Sequence, residues 1–361
     1  MKDLFLELHI LQDIPFNCLN RNQDGSPKTA LYGGVQRFYV SSQAWKKAVR
    51  DFFKERINEE KIGYRTMELG ALVEEELINQ HQISQKQAKE LVNKLMKSLK
   101  LKSDKNNKLK ALFAVSKDEI KGLANILVSD PENTEALKAA LKNLPSVDVC
   151  LFGRMAADDK DFNVDAACQI APAISVNEVQ MDADFFTAID DLKKTTGAGM
   201  MGTKEFTTGV IYRYACLSIK ALKDNYSGDL PQLVREFVKC FVESMPKGMQ
   251  NGFAANTLPY AVYAVIRDDR PISFVSAFES PVPAFEAPDS GSFSFESSSG
   301  YKTRAVKQLI KEVNEIYENW ASFPVASFTV GRSLSALAEP IKLREMYSDI
   351  EAKVAAEIGE V

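Results

Sequence analysis

Residues 20–50 read NRNQDGSPKTALYGGVQRFYVSSQAWKKAVR, and their order of polar loop, glycine pair, short strand and helix sets how the rest of the chain is read. Asn, Asp, Gly, Ser and Pro crowd 17–32, which predicts a loop ended by Gly33-Gly34, because these residues tolerate left-handed backbone or hydrogen-bond their own main chain. Gln36–Val40 suits a short strand. Ser41 and Ser42 then offer hydroxyls at a helix start, and Trp45, Ala48, Val49 and Phe52 recur at i, i+3, i+4, i+7 as one apolar stripe. Between Asn20 and Arg56 stand eight basic residues (Arg21, Lys28, Arg37, Lys46, Lys47, Arg50, Lys54 and Arg56) against three acidic ones, although the 361-residue chain as a whole carries a formal charge of −4. Positive charge is therefore concentrated in one place.

A helix start behind a basic loop is suited to an anion, since unpaired backbone N–H groups and the positive dipole end favour a phosphate and the side chains of Ser41 and Gln43 add donors. One phosphate does not need Lys46, Lys47 and Arg50 as well. A row of cations suits a polyanion passing along it, with affinity rising for each phosphate neutralised. The same residues also fit an amphipathic helix that is merely capped and solubilised, and pattern alone leaves both readings open. Gly33-Gly34 stands in neither a GxxxxGK[ST] nor a GxGxxG pattern, which argues against a nucleotide loop there.

Outward from this block, Leu4, Leu6, Leu8 and Ile10 alternate with Phe5, Glu7, His9 and Leu11, the period of an opening strand. From about Asn58 to Leu144 the spacing is helical, with Lys86, Lys89, Lys94, Lys97 and Lys100 on the solvated side, and predicts an inserted helical module. Strand signals return at Val147–Phe152 and Thr207–Ile219. Asp182–Thr208, with Phe185-Phe186-Thr187, reads as an exposed excursion from a sheet. Its aromatic faces suit either stacking on bases or anchoring of the loop to its own domain. A helix over Leu230–Glu243, a strand over Tyr260–Arg267, an irregular Ser/Pro/Phe loop at Glu279–Ser299 and helices at Thr303–Trp320 and Glu339–Ile358 complete an α+β order.

Other chemistry is thinly represented. Five scattered cysteines without a CxxC pair argue against a disulfide framework or zinc site and suit a reducing, cytoplasmic setting. His9 and His81 are the only histidines, so no His-based triad or metal cluster assembles. Asp182, Asp184, Asp190 and Asp191 read as solvated loop carboxylates rather than metal ligands. No run approaches the ~18 apolar residues of a membrane span. We expect no cofactor, no metal and no catalysis.

Leu19-Asn20-Arg21, Gly25–Ala30, Gly33-Gly34, Arg37 and Ser41–Arg50 resemble the CasC family, which forms the backbone of the type I-E CRISPR surveillance complex, Cascade. Gly153–Ala156, Asp184–Ala188, Asp190–Leu192, Gly202-Thr203, Glu205-Phe206 and Gly209–Ala215 extend the resemblance into the second half of the chain. It implies an RRM-like (ferredoxin-like) palm over 1–57 and 146–361, a helical finger insertion over 58–145 and a β-hairpin thumb at 179–209. It also implies a non-catalytic subunit that stacks head to tail with copies of itself along one CRISPR guide RNA, beside other Cascade subunits, and supports pairing of guide with target DNA. Carried over by position, RNA-binding falls to Asn20, Arg21, Lys28, Ser41, Gln43, Lys46, Lys47 and Arg50. Arg154 and Met155 would lie beside a displaced nucleotide, and Phe185, Phe186 and Thr187 would wedge into the guide–target duplex. The alternative is a palm-loop nuclease of the type III backbone kind, for which Asp24 is the candidate acid.

Overall fold

The computed structural model describes residues 3–156, 159–192, 198–284 and 300–359. The chain opens with β1 (Phe5–Asn17), β2 (Thr29–Tyr32), β3 (Val35–Val40) and α1 (Ser42–Arg56). There follow β4 (Tyr64–Thr66), α2 (Leu69–His81), α3 (Gln85–Ser98), β5 (Phe113–Val115), α4 (Lys117–Ser129), α5 (Thr134–Asn143) and α6 (Val147–Phe152). The remainder comprises β6 (Cys168–Ile170), β7 (Ala173–Ser175), β8 (Asp182–Ile189), β9 (Ala198–Ser218), α7 (Ile219–Asn225), α8 (Leu230–Glu243), α9 (Gln250–Phe253), β10 (Ala261–Arg267), α10 (Gly300–Asn319), β11 (Ala326–Val330) and α11 (Leu343–Ile358). Two compact units result. One holds Arg50–Gln169 and Leu217–Leu233; the other takes the N-terminal stretch to Val49, Ile170–Cys216 and the chain from Val234 onward.

The first unit is mostly helical. Helices α2 to α5 bury a contiguous core that includes Val73, Leu77, Val92, Leu95, Leu123, Leu127, Leu137 and Leu141. Their starts follow from side chains that satisfy orphan N–H groups: Ser84 accepts from Gln87 N, Ser116 and Glu119 form a capping box, and Asn133 accepts from Ala136 N. The helical spacing read over 58–144 is interrupted by a two-stranded ladder in which Tyr64 faces Val115, too short for a period of two to register in the sequence.

Val147–Phe152, expected as a strand, is helix α6 instead. A short, mostly apolar run looks alike as a buried strand or a buried helix, and Val147 to Leu151 are all buried. Start and stop signals decide the matter. Pro145 precedes, Asp148 sits in the first turn, and Gly153 closes the helix at φ +78°, its N–H bonded to Val149 O at 2.8 Å. A Cβ there would meet Val164 O at 2.8 Å, so the stop requires glycine.

The second unit is built on a largely antiparallel sheet in the order β11-β10-β1-β9-β7-β3-β2. Strand β1 lies inside this order and is covered on both faces, with Leu6, Leu8, Ile10 and Leu11 fully buried. On one face Leu11, Tyr212, Tyr214 and Tyr263 join Val306, Leu309, Val313 and Tyr317 of α10 in a single core. Arg213, between the two tyrosines, turns to the opposite face, where its guanidinium lies 3.8 Å from the Trp45 ring and 4.8 Å from Phe241. Burial lowers its pKa to about 9.

Two further differences from the sequence reading concern strands. Thr29–Tyr32, read as loop, pairs with β3, and Gly33 (φ +60°) and Gly34 (φ +77°) form the two-residue turn that matches strand twist. A Cβ on Gly33 would fall 1.6 Å from Glu279 O. Strand β11, which pairs Val330 with Val262, had no sequence signal strong enough to name. The final helix starts at Leu343 rather than Glu339. The 279–299 loop is described to Ala284, and its remainder lies outside the described residues.

Candidate nucleic-acid interface

In the second unit the loop after β1 folds onto itself and then onto the start of α1. Asn20 O accepts from Lys28 N–H at 2.9 Å, Lys28 O accepts from Tyr39 N–H at 3.0 Å, and Asn20 Oδ1 accepts from Ser41 N–H at 2.9 Å. Asn20 thus ties the loop to the helix N-terminus while its amide nitrogen stays a donor. Ser41 Oγ accepts from Ala44 N–H at 3.3 Å and keeps its own proton to donate. Asn20, Lys28 and Ser41, far apart in sequence, are neighbours here.

The tip of the loop is a compact turn. Asn22 N–H reaches Ser26 O at 2.8 Å, and Asp24 Oδ1 accepts from Ser26 N–H (3.0 Å) and Ser26 Oγ (2.7 Å). Those two bonds hold the Asp24 carboxyl below its ordinary value. Across the turn Arg21 bridges to Pro27, which leaves the Arg21 side chain exposed and sets Lys28 half-buried with its Nζ 6.0 Å from the Tyr39 ring. On α1, Trp45 is buried, Lys46 is half-buried, and Gln43 and Lys47 are exposed.

Strand β8 pairs antiparallel with the start of β9 as a ribbon, in which Phe185 faces Thr203 and Phe186 faces Gly202. Phe185 and Phe186 alternate across the ribbon: Phe185 is 63% exposed, while the Phe186 ring is half-buried over Gly202 beneath Lys204 Nζ at 4.7 Å. Thr187 is exposed. A two-stranded ribbon with apolar side chains on its surface is at most marginally stable in water without a covering surface.

Three predicted site residues lie in the first unit. Met155 is 83% exposed. Arg50 is engaged, its Nε 2.6 Å from Asp148 Oδ2 and its Nη2 3.3 Å from Gly63 O. Arg154 is buried: Nε reaches Phe162 O at 2.8 Å, Nη1 reaches Ala114 O at 3.1 Å and Glu119 Oε1 at 2.7 Å, and Nη2 bonds Leu141 O. Its guanidinium is committed inside the helical core. Burial raises the Glu119 pKa, partly offset by the attraction of Arg154.

A model of the CT1975-like protein family matches residues 6–354. The chain belongs to the CT1975-like family. A chain of a solved "CRISPR RNA-guided surveillance complex, pre-nicking" is 31% identical to this CT1975-like protein, with 98% of this chain and 99% of that one covered and a TM-score of 0.79. A chain of a second "CRISPR RNA-guided surveillance complex" is 28% identical over 97% of this chain and 99% of that one, with a TM-score of 0.63. No curated protein matches. The likeness to Cascade backbone subunits read from 20–50 therefore stands. Among the described residues no cluster of three or more His, Cys, Asp or Glu is arranged to hold a metal ion, and no helix is long and apolar enough to cross a membrane.

Sequence reasoning passed over one polar segment of this CT1975-like protein, 246–256. There Gly248 packs so closely on the loop that a Cβ would lie 2.2 Å from Leu19 O, and Met249 Sδ is 3.8 Å from Arg21 Nη1. The available signal was composition: PKGMQNGFAAN is glycine- and amide-rich and carries a single charge.

Proposed function

We propose that this chain is a non-catalytic, RNA-binding backbone subunit of the type I-E kind of CRISPR surveillance complex, acting in the cytoplasm. Its second unit serves as an RRM-like palm, the helices of its first unit as a finger, and the β8–β9 ribbon as a thumb. Copies multiply head to tail along the guide, whose length and terminal partners limit the filament because such an interface does not close on itself. The guide's sequence is read by pairing with target DNA, while the protein grips phosphates and shape. The supporting observation is the Asn20–Ser41 hydrogen bond, which joins a loop bearing Arg21 and Lys28 to the start of a helix bearing Gln43, Lys46 and Lys47. Phe185 and Thr187 offer an exposed thumb edge for the guide–target duplex.

Lys28→Ala combined with Lys46→Ala tests this reading. RNA retention should fall for every guide sequence alike, and the slope of log affinity against log salt should shrink by about 0.7 per lost contact to a single strand. Unchanged retention, or an altered sequence preference, would sink the proposal. Size-exclusion chromatography with a long RNA should show several copies per strand. Asp24 is occupied in closing its own turn, so guide-complementary RNA incubated with Mg²⁺ should survive intact with both wild type and Asp24→Ala.

A further inference from the structure

We propose that the 246–256 segment, together with Lys204, forms a second nucleotide contact on the second unit, with Lys204 and Lys247 on a phosphodiester and Asn251 on the adjoining sugar of a single RNA strand. This rests on the backbone-subunit reading and extends it to residues outside the basic block. An open cavity of ≈ 720 Å³ is lined by Lys204, Lys247, Met249, Gln250, Asn251, Gly252 and Asn256, and none of these described residues is acidic. Two ammonium groups and three amides without a carboxylate suit an anionic, hydrogen-bonding ligand. Lys204, Lys247 and Asn251 are exposed.

The backbone here is under constraint. Met249 (φ +51°) and Ala254 (φ +49°) bracket the single turn α9 in left-handed conformations that residues with a Cβ seldom adopt. Gln250 Nε2 is fixed on Pro246 O at 3.2 Å, and Gln250 Oε1 is buried with no hydrogen-bond partner. Strained backbone and an unsatisfied buried acceptor in one segment point to selection for something other than stability. Rigid neighbours hold the segment in place: Phe253 packs on Phe206 at 5.7 Å, Phe206 on Phe16 at 5.1 Å, and Gly248 on the Leu19 carbonyl.

Continuity selects the ligand. Met249 meets Arg21 of the basic loop on one side, and Lys204 caps the Phe186 ring of the thumb on the other. A strand held at Arg21 and passing toward Phe186 would run across Lys247 and Lys204, and amide side chains there have both the donors and the acceptors to meet a ribose hydroxyl.

Salt titrations of binding to a uridine-only RNA oligonucleotide separate this contact from the one at α1, using Lys247→Ala alone, Lys204→Ala with Lys247→Ala, and Lys28→Ala with Lys46→Ala. All the substituted lysines carry exposed or half-buried side chains, and circular dichroism checks each fold. The expected result is a slope smaller by about 0.7 for the 204/247 pair, which removes the whole phosphate contact, with Lys247→Ala alone falling between that pair and wild type. If that pair leaves slope and affinity unchanged while the 28/46 pair lowers both, the second contact is refuted and the backbone reading survives. If neither pair has an effect, both fail. Loss of poly-glutamate binding in the 204/247 pair with RNA binding intact would reassign the cavity to an acidic polypeptide and also overturn the proposal.

Discussion

Arg154 and Glu119 meet at 2.7 Å with their side chains 1% and 0% exposed, and carbonyls of Ala114, Leu141 and Phe162 take three more of the five guanidinium donors. The residue that resemblance sets beside a nucleotide is, in this chain, a linchpin of the helical unit. Removing one partner of such a pair strands a buried charge.

Arg154→Ala should therefore destabilise the first unit by about 3–5 kcal/mol. Thermal or urea denaturation followed by circular dichroism measures it. Arg154→Lys should recover little, because an ammonium cannot reproduce a planar fork directed at four oxygens. A stable Arg154→Ala protein that only loses RNA would contradict this account.

Arg50 behaves similarly on a smaller scale. Its partner Asp148 is 4% exposed and also accepts from Gly63 N–H (2.9 Å) and Ser146 Oγ (2.7 Å). Arg50→Ala leaves one carboxylate oxygen unsatisfied, so a loss of about 1–3 kcal/mol is expected in the denaturation midpoint. Any loss of RNA binding by that variant should be compared at matched folded fraction.

Glu7 and His9 project from the same face of β1 into the tyrosine-lined core and give opposite pH dependences. Burial pushes the Glu7 carboxyl from 4.5 up to about 7, against hydrogen bonds from Tyr214 (2.5 Å) and Ile272 N–H (2.6 Å). A raised folded pKa contributes stability that is complete below 4.5 and is lost as pH rises through 7. Burial, with repulsion from Arg267, lowers His9 from 6.5 to about 3, so its contribution is complete above 6.5 and is lost as pH falls towards 3. Wild type measured against Glu7→Gln should lose of order 3 kcal/mol between pH 4.5 and 7, and measured against His9→Gln should gain stability from pH 4 to 6.5. Urea midpoints across that range check both signs.

Phe186 lies over Gly202, its partner across the ribbon, where a Cβ would come within 2.6 Å of the ring. Gly202→Val should lift the ring, break its contact with Lys204 and fray the β8–β9 ladder. Limited proteolysis should then cleave 182–206 faster than in wild type, while the α8 and α10 regions stay resistant.

Much of the architecture was legible because periodicity is a local property. Helix α8 appears at Leu230–Glu243, the bounds given by its spacing, β3, α1 and β10 fall within a few residues of expectation, and β1 starts as expected but runs on to Asn17, six residues past Leu11. The basic block was equally legible, since charge density needs no folding to be counted. Ambiguity began where local pattern supports two answers: Val147–Phe152 is apolar but for Asp148, and only that residue and the flanking Pro145 and Gly153 hint at a helix.

The sequence by itself determined most of the element types, the loop-to-helix step at Ser41 and the clustering of cations before and along α1. Tertiary structure alone decided which of those cations face solvent: Lys47 is exposed, whereas Arg50 meets a carboxylate 98 residues away; the later Arg154 is likewise paired, with a carboxylate 35 residues back. Tertiary structure also brought Lys247 and Met249 beside a loop more than two hundred residues earlier. The reason is physical. A residue's conformational preference acts over a few neighbours, but the environment of a charge is set by whatever the fold brings against it.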